Sequence, residues 1–485
     1  VIRAFLAAFL IVGLPMAVSA QPLQTPPPPG PVRIATLPTA REATLPNGLR
    51  VIAFQVKSQP KAQSVPLIAA QLIVRSGGSS EDEAHAGLAS ATATLLTSGT
   101  TTRGALEISQ AVDALGARLN AGAGFDASLV SVSATTPTFP AAFDLFADVV
   151  LHPAFAPAEV ERVRTKAISD LQLGYSSPSS LARLVAGRVA YGGSPYAHPL
   201  SGTATSLQAL TRADIAAFHA RAYRPDNALL VIGGDIAPDA AIALVTRVLG
   251  SWSKPATALV PAPVSTPVPP HSRVVIVDKP DAGRTAIVAG HASIARLDPQ
   301  YYAGVVATAV LSGFSGRLNQ EVRVKRGLSY GAGASLGARK DCGVFTAATL
   351  VDHTKVVEGT KVILDTLASL ASAPVPADEL APRKATVTGD FYRGIETIDG
   401  IAGTFGDLAL NGVPLADIGT FVPQVNAVDA AAIGAFSKRY IADRPFVVLV
   451  GDAKKFETAI RAAYSDVEVI PFAALDLGAA NLKKP

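Results

Sequence analysis

Two stretches lying far apart in this chain read as diverged copies of each other. Ile215–Asp235 carries Phe218, Tyr223 and Pro225 and ends on Val231-Ile232-Gly233-Gly234-Asp235. Ile433–Asp452 carries Phe436, Tyr440 and Pro445 and ends on Val448-Leu449-Val450-Gly451-Asp452. In both, a helical stretch runs into a short apolar strand, so one supersecondary unit is expected to be built twice. An earlier echo agrees, with strand candidates Leu67–Val74 and Arg284–Gly290 each preceding a helical stretch. Between the copies lies 254–271, containing Pro255, Pro261, Pro263, Pro267, Pro269 and Pro270. Such a segment favours extended backbone and acts as a semi-rigid spacer. The expected organisation is therefore a body over 33–253, the linker 254–271, a second body over 272–475 and a tail 476–485.

Within the first body, Pro46-Asn47-Gly48 reads as the turn of a hairpin over Glu42–Phe54. Alternation from Ser128 to Ala134 predicts a half-buried strand. Helices are expected near 86–98, 103–115, 139–151, 157–174, 178–190 and 212–222, and in the second body near 299–311, 315–326, 354–372 and 377–393. Hairpins mixed with clustered helices point to an α+β fold of two homologous domains, each a mostly antiparallel sheet packed with helices.

Residues 1–20 have the layout of a cleaved secretory signal. Arg3 precedes an apolar run from Ala4 to Leu14, then Pro15 and small residues up to Ala20, after which cleavage is expected. A Pro-rich linker, 21–32, follows. The apolar run is shorter than the roughly 20 residues a bilayer demands, so the expectation is a periplasmic chain with no membrane span. The net charge of +4 falls to +3 without Arg3, and no Lys/Arg run is long enough to follow a nucleic-acid backbone, which argues against a nucleic-acid partner. The single cysteine, Cys342, cannot form an internal disulfide and reads as a small buried apolar residue.

The histidines exclude a local metal motif. A zinc peptidase needs two imidazoles on one helical face, and no two of the seven here, at 85, 152, 198, 219, 271, 291 and 353, lie within one turn of each other. Neither a phosphate-binding loop nor a Gly-x-Ser-x-Gly elbow is present. Glu81, Asp82 and Glu83 read as a solvated turn before a helix.

From Val74 through Thr100 the sequence resembles the core of the insulinase and pitrilysin zinc peptidases, the inverzincins. Gly87-Leu88-Ala89 and Gly99-Thr100 match the flanks of the family's His-x-x-Glu-His motif. Ser90, Ala93 and Thr94 stand where the first histidine, the glutamate base and the second histidine belong, and the third ligand would fall near Ser169-Asp170. The resemblance continues through Gly116–Ala121, where Asn120 and Ala121 match a substrate-accepting edge strand, and through Pro195–Thr203 and Tyr223–Asp235. In the second body, Leu311–Gly331 resembles the segment in which a small-residue loop leads into a helix, Arg-Gly-Leu and a tyrosine-bearing strand. Arg323 and Tyr330 match the family's substrate-binding pair, while Ser312, Gly313 and Gly316 read either as a chamber-lining loop, since glycines allow close backbone approach, or as an ordinary helix-entry turn. A purely structural reading also fits, since cations near a helix C-terminus favour its dipole and Gly327 suits a C-cap. Lys325 and Arg326 read as such dipole partners.

The resemblance implies a non-zinc subunit of a bacterial heterodimeric peptidase, similar to the alpha-type subunit of the mitochondrial processing peptidase. This chain would bind no metal and supply Arg323 and Tyr330. A homologous partner carrying His-x-x-Glu-His would hold the zinc, and peptides would be the substrates. The alternative is a catalytically dead peptide-binding or structural core-type subunit.

Overall fold

The structure is a computed structural model describing residues 37–56, 65–269 and 272–484. The signal 1–20, its cleavage after Ala20, the linker 21–32, Pro270 and His271 lie outside the described residues. The first half contributes strands β1 (Ala40–Thr44), β2 (Arg50–Gln55), β3 (Leu67–Val74), β4 (Arg118–Ala123), β5 (Ser128–Thr135) and β6 (Ala228–Gly234). Its helices are α1 (Leu88–Leu96), α2 (Ala105–Ala114), α3 (Phe139–Leu151), α4 (Pro157–Ser176), α5 (Pro178–Tyr191), α6 (Ala204–Ala209), α7 (Arg212–Ala222) and α8 (Pro238–Leu249). The second half contributes β7 (Val274–Asp278), β8 (Thr285–Ser293), β9 (Ala332–Gly337), β10 (Gly343–Val351), β11 (Phe446–Gly451) and β12 (Val467–Pro471). With these come α9 (Tyr301–Leu311), α10 (Arg317–Asn319), α11 (Val356–Ser372), α12 (Ala377–Gly394), α13 (Ile398–Leu410), α14 (Phe421–Ala427), α15 (Ala430–Tyr440) and α16 (Glu457–Ala463).

The strands form two six-stranded sheets, ordered β1-β2-β6-β3-β5-β4 and β12-β7-β11-β8-β10-β9. The repeated sequence units are α7 leading into β6 and α15 leading into β11, and both strands lie inside their sheets. β2 pairs parallel with β6, and β7 parallel with β11, whereas β6-β3-β5-β4 and β11-β8-β10-β9 are antiparallel throughout. Every residue of β6 and β11 is buried, which is why these segments read as unbroken apolar runs. β5 and β10 alternate buried and half-buried positions, the period-2 pattern of a strand with one covered face. Strands β4 and β9 end their sheets with one free edge each.

Each half covers the other's sheet. Helix α5, from the first half, lays Leu181, Val185, Ala186 and Val189 on Val275, Val277, Val288 and Val448 of the second sheet. Helix α13, from the second half, packs Ile401, Phe405 and Leu408 on Ile52, Phe54, Ile73 and Val231 of the first. The rings of Phe54 and Phe405 lie 5.5 Å apart. Gly406 permits this approach, because a Cβ there would sit 2.5 Å from Ile73 Cδ1.

Three local expectations are corrected. Over 476–484 the expected tail is packed: Leu477 and Leu482 are buried with α5, and the Arg188 Nε and Nη2 both donate to the Leu477 carbonyl, at 3.1 and 2.6 Å. Over 315–326 the expected helix is one turn of α10 followed by a π-helical turn, Gln320–Val324, closed by Lys325 N donating to Gln320 O at 2.9 Å. In the acidic trio Asp82 and Glu83 are exposed, as expected of a solvated turn, but Glu81 is not. Glu81 is buried and accepts from the backbone N–H groups of Gly87, at 2.9 Å, and Ala89 at the start of α1. Burial pushes its carboxyl up to about 8 against the pull of those donors. Asp82 caps a 3₁₀ turn by accepting from His85 N, and Glu83 pairs with buried Arg188.

Candidate functional site

The loop Ser312–Gly316 joins α9 to α10 and is fixed at several points. Ser312 Oγ donates to the Ala334 carbonyl and accepts from Ala334 N, at 2.7 and 2.8 Å, which ties the loop to edge strand β9. Asn319 Nδ2 donates to Phe314 O at 2.7 Å, Arg383 Nη1 to Ser315 Oγ at 2.9 Å, and Gly316 N to Gly313 O at 3.1 Å. These bonds leave the Phe314 ring 73% exposed.

Arg323 lies in the π-helical turn, which widens the backbone and is often found at functional positions. Gly327, at φ +62°, then reverses the chain toward Tyr330, which is 85% exposed. The structure brings the sequence-predicted pair together: the Arg323 guanidinium carbon is 5.5 Å from the Tyr330 ring centroid and 5.3 Å from that of Phe314. Among the described residues Arg323 has no ion pair and no side-chain hydrogen bond. Lys325 and Arg326, read as dipole partners, instead both bond Glu321 and hold its carboxyl below its ordinary value. The site is thus an exposed guanidinium beside two aromatic faces, next to the free edge of β9. Its donors are unspent, and it can grip a carbonyl or an anionic group while apolar side chains rest on the rings. Phe314 was missed in the sequence, where only the small residues around it attracted notice; a lone aromatic in a Gly/Ser turn was the available signal.

The residues at the family's metal positions do not fit zinc. On α1, Ser90 Oγ donates to Leu200 O and Thr94 Oγ1 to Ser90 O, both at 2.8 Å, while Ala93 is a buried methyl. Asp170 on α4 is paired with Lys166 at 2.6 Å. These side chains include no imidazole, and no group of three or more His, Cys, Asp or Glu side chains that could hold a metal ion occurs among the described residues. Ser90, Thr94 and Asp170 instead border a cavity of about 630 Å³. His198 borders it too, with Nε2 2.9 Å from Gly78 O and Nδ1 3.3 Å from Pro199 O; burial favours the neutral ring, which donates to one of these two carbonyls. Cys342 is buried, and its thiol is pushed up to about 11 by desolvation. Asn120 and Ala121 lie on β4, an edge strand as expected. No helix among the described residues is long and apolar enough to cross a membrane.

The duplicated sheet-and-helix halves, the Gly-Leu-Ala entry to α1 and the Arg323–Tyr330 pair define a metallopeptidase scaffold whose metal-binding helix carries no ligands. Residues 56–204 match Insulinase (Peptidase family M16) and residues 209–387 match Peptidase M16 inactive domain, together more than half of the chain. The chain belongs to the insulinase family. It is 27% identical over 409 residues to an uncharacterized zinc protease of Mycobacterium leprae, covering 84% of this chain and 91% of that one. Over 416 residues it is 27% identical to an uncharacterized zinc protease of Mycobacterium tuberculosis, covering 85% and 93%. Among solved structures, a peptidase M16 inactive domain from Pseudomonas fluorescens superposes with a TM-score of 0.78 at 25% identity, over 85% of this chain and 98% of that one.

Proposed function

We propose that this chain is the non-catalytic, substrate-binding subunit of a two-chain zinc peptidase acting on peptides in the periplasm. The reading rests above all on Arg323, an exposed guanidinium beside Phe314 and Tyr330 that no carboxylate of the described chain neutralises. A homologous partner carrying His-x-x-Glu-His would hold zinc and polarise the attacking water. This chain's part is positional. The planar fork of Arg323 and the Tyr330 hydroxyl hold a peptide carbonyl and favour the negative charge that develops at the scissile bond. Edge strand β9, tied to the loop through Ser312, gives the peptide backbone a place to pair beside them.

The test is affinity purification of the tagged chain from its native cells, with the eluate assayed on a fluorogenic peptide. The expected result is phenanthroline-sensitive cleavage that co-elutes with a second, zinc-bearing chain. An inactive eluate holding this chain alone would transfer the assignment to a binding or core-type protein.

A further inference from the structure

The cavity beside α1 is mainly apolar, with Ser90, Thr94, Asp170, Arg183 and His198 also on its lining and Arg339 at one corner. Its body is lined by Ala91, Val163, Leu171, Leu184, Ala186 and Leu200. At the corner stands Arg339, from the β9–β10 connection, whose guanidinium carbon is 4.0 Å from the Phe125 ring centroid, 4.9 Å from that of Tyr196 and 5.3 Å from that of Tyr191. Among the described residues Arg339 Nη1 is buried without a hydrogen-bond partner. So is the hydroxyl of Tyr191, a residue only 2% exposed.

Asp170, the carboxylate on the cavity lining, is paired with Lys166 at 2.6 Å, and two further carboxylates in this region have partners of their own. Asp126 accepts from the Tyr196 hydroxyl and from Lys340 N, and Asp341 accepts from Ser265 N at 2.8 Å. Burial raises the Tyr191 hydroxyl well above its ordinary value, so it remains a neutral donor. Buried donors almost always find acceptors in folded proteins. Two orphaned donors behind one cavity wall, one of them on a guanidinium, favour an anionic acceptor whose other end is apolar.

We propose that this cavity binds a small amphiphilic carboxylate, its head at the Arg339 guanidinium beside Tyr191 and its apolar body against α1, α4 and α5. A short apolar peptide with a free C-terminus and a fatty acid share this chemistry. The site uses no residue of the Arg323 cluster and needs no partner chain, so its test is independent of the proposed peptidase role.

Isothermal titration of the full chain with four probes decides it: N-acetyl-Leu-Leu-Phe as acid and as amide, dodecanoate and dodecanol. At least one acid is expected to bind one-to-one, and at least tenfold more tightly than its neutral counterpart. Binding of the peptide acid alone identifies a peptide terminus as the source, and binding of dodecanoate alone identifies a lipid. Arg339→Gln should weaken the acid at least tenfold while changing its neutral analogue little. Ala167→Phe, which fills the cavity from α4 without touching Arg339, should abolish binding with an unchanged melting profile. Equal affinity for acid and neutral probes, full affinity in a folded Ala167→Phe variant, or no binding by any probe would overturn the assignment.

Discussion

Replacing Arg188 by methionine should destabilise the protein by about 3–5 kcal/mol. Arg188 is 1% exposed and donates to Leu477 O from Nε and Nη2, at 3.1 and 2.6 Å, to Gly192 O at 2.9 Å, and to Glu83. Methionine keeps most of the aliphatic volume, so the loss falls on the polar groups left behind. The Leu477 and Gly192 carbonyls would each lose a charged donor, at about 1–3 kcal/mol apiece. Glu83, whose side chain is 45% exposed, rehydrates and adds little. The total approaches that of a buried pair broken from one side. Urea unfolding followed by circular dichroism measures it as a lowered midpoint at constant slope. A chain ending at Leu475 supplies the control, because Arg188 then has no tail to hold and the substitution should cost about 1–3 kcal/mol less. A loss under about 1 kcal/mol, or full additivity with the truncation, would refute the view that Arg188 fastens the C-terminal segment.

Arg323→Ala should lower kcat/KM of the co-purified peptidase about 10–100-fold, the worth of one charge-assisted contact, with assembly by size exclusion unchanged. Arg323→Lys should recover only part, because a lysine lacks the planar fork; wild-type kinetics in both variants would remove Arg323 from the site. Glu81 makes stability pH-dependent: its folded value, about 8, lies above its ordinary 4.5. Its contribution is therefore full below about 4.5 and is lost as pH rises through about 8. Thermal melts should fall across that window in the wild type and less steeply in Glu81→Gln; parallel curves would contradict the buried carboxyl. Phe405→Ala should cost about 3–5 kcal/mol and, although it lies in the second half, speed amide exchange in β3 and β6 of the first. Protection lost only in the second half would be inconsistent with the packing of α13.

The elements that sequence reasoning found most readily have a covered face whose period survives in the residues: the alternation in β5 and the apolar runs of β6 and β11. Other features escaped it because their causes are not local. The apolar face of α5 announces burial but not that the sheet it covers belongs to the other half. Helix α13 was missed because Gly400, Gly403 and Gly406 lower helix propensity, yet Gly406 is what lets the helix approach Ile73. Glu81 looked solvated among its acidic neighbours, since its partners are backbone N–H groups of Gly87 and Ala89. Arg323 and Tyr330 were legible as a pair because they lie seven positions apart, the spacing of the family they resemble, whereas the Phe314 contact depends on a loop fixed by Ser312, Asn319 and Arg383.

The exchange of α5 and α13 sets an order for events as the chain leaves the ribosome. When residue 253 has emerged, Ile52, Phe54, Ile73, Leu229 and Val231 have no cover, because α13 is not made until residue 410. The nascent first half is therefore a greasy plate awaiting a lid, and a holdase fits that interval. Closing the plate means joining segments hundreds of positions apart, a search that slows folding and lengthens exposure to aggregation. Expressed alone, residues 37–253 should be insoluble, and co-expression with 272–484 should rescue them. In this chain each half is expected to need the other to bury its sheet.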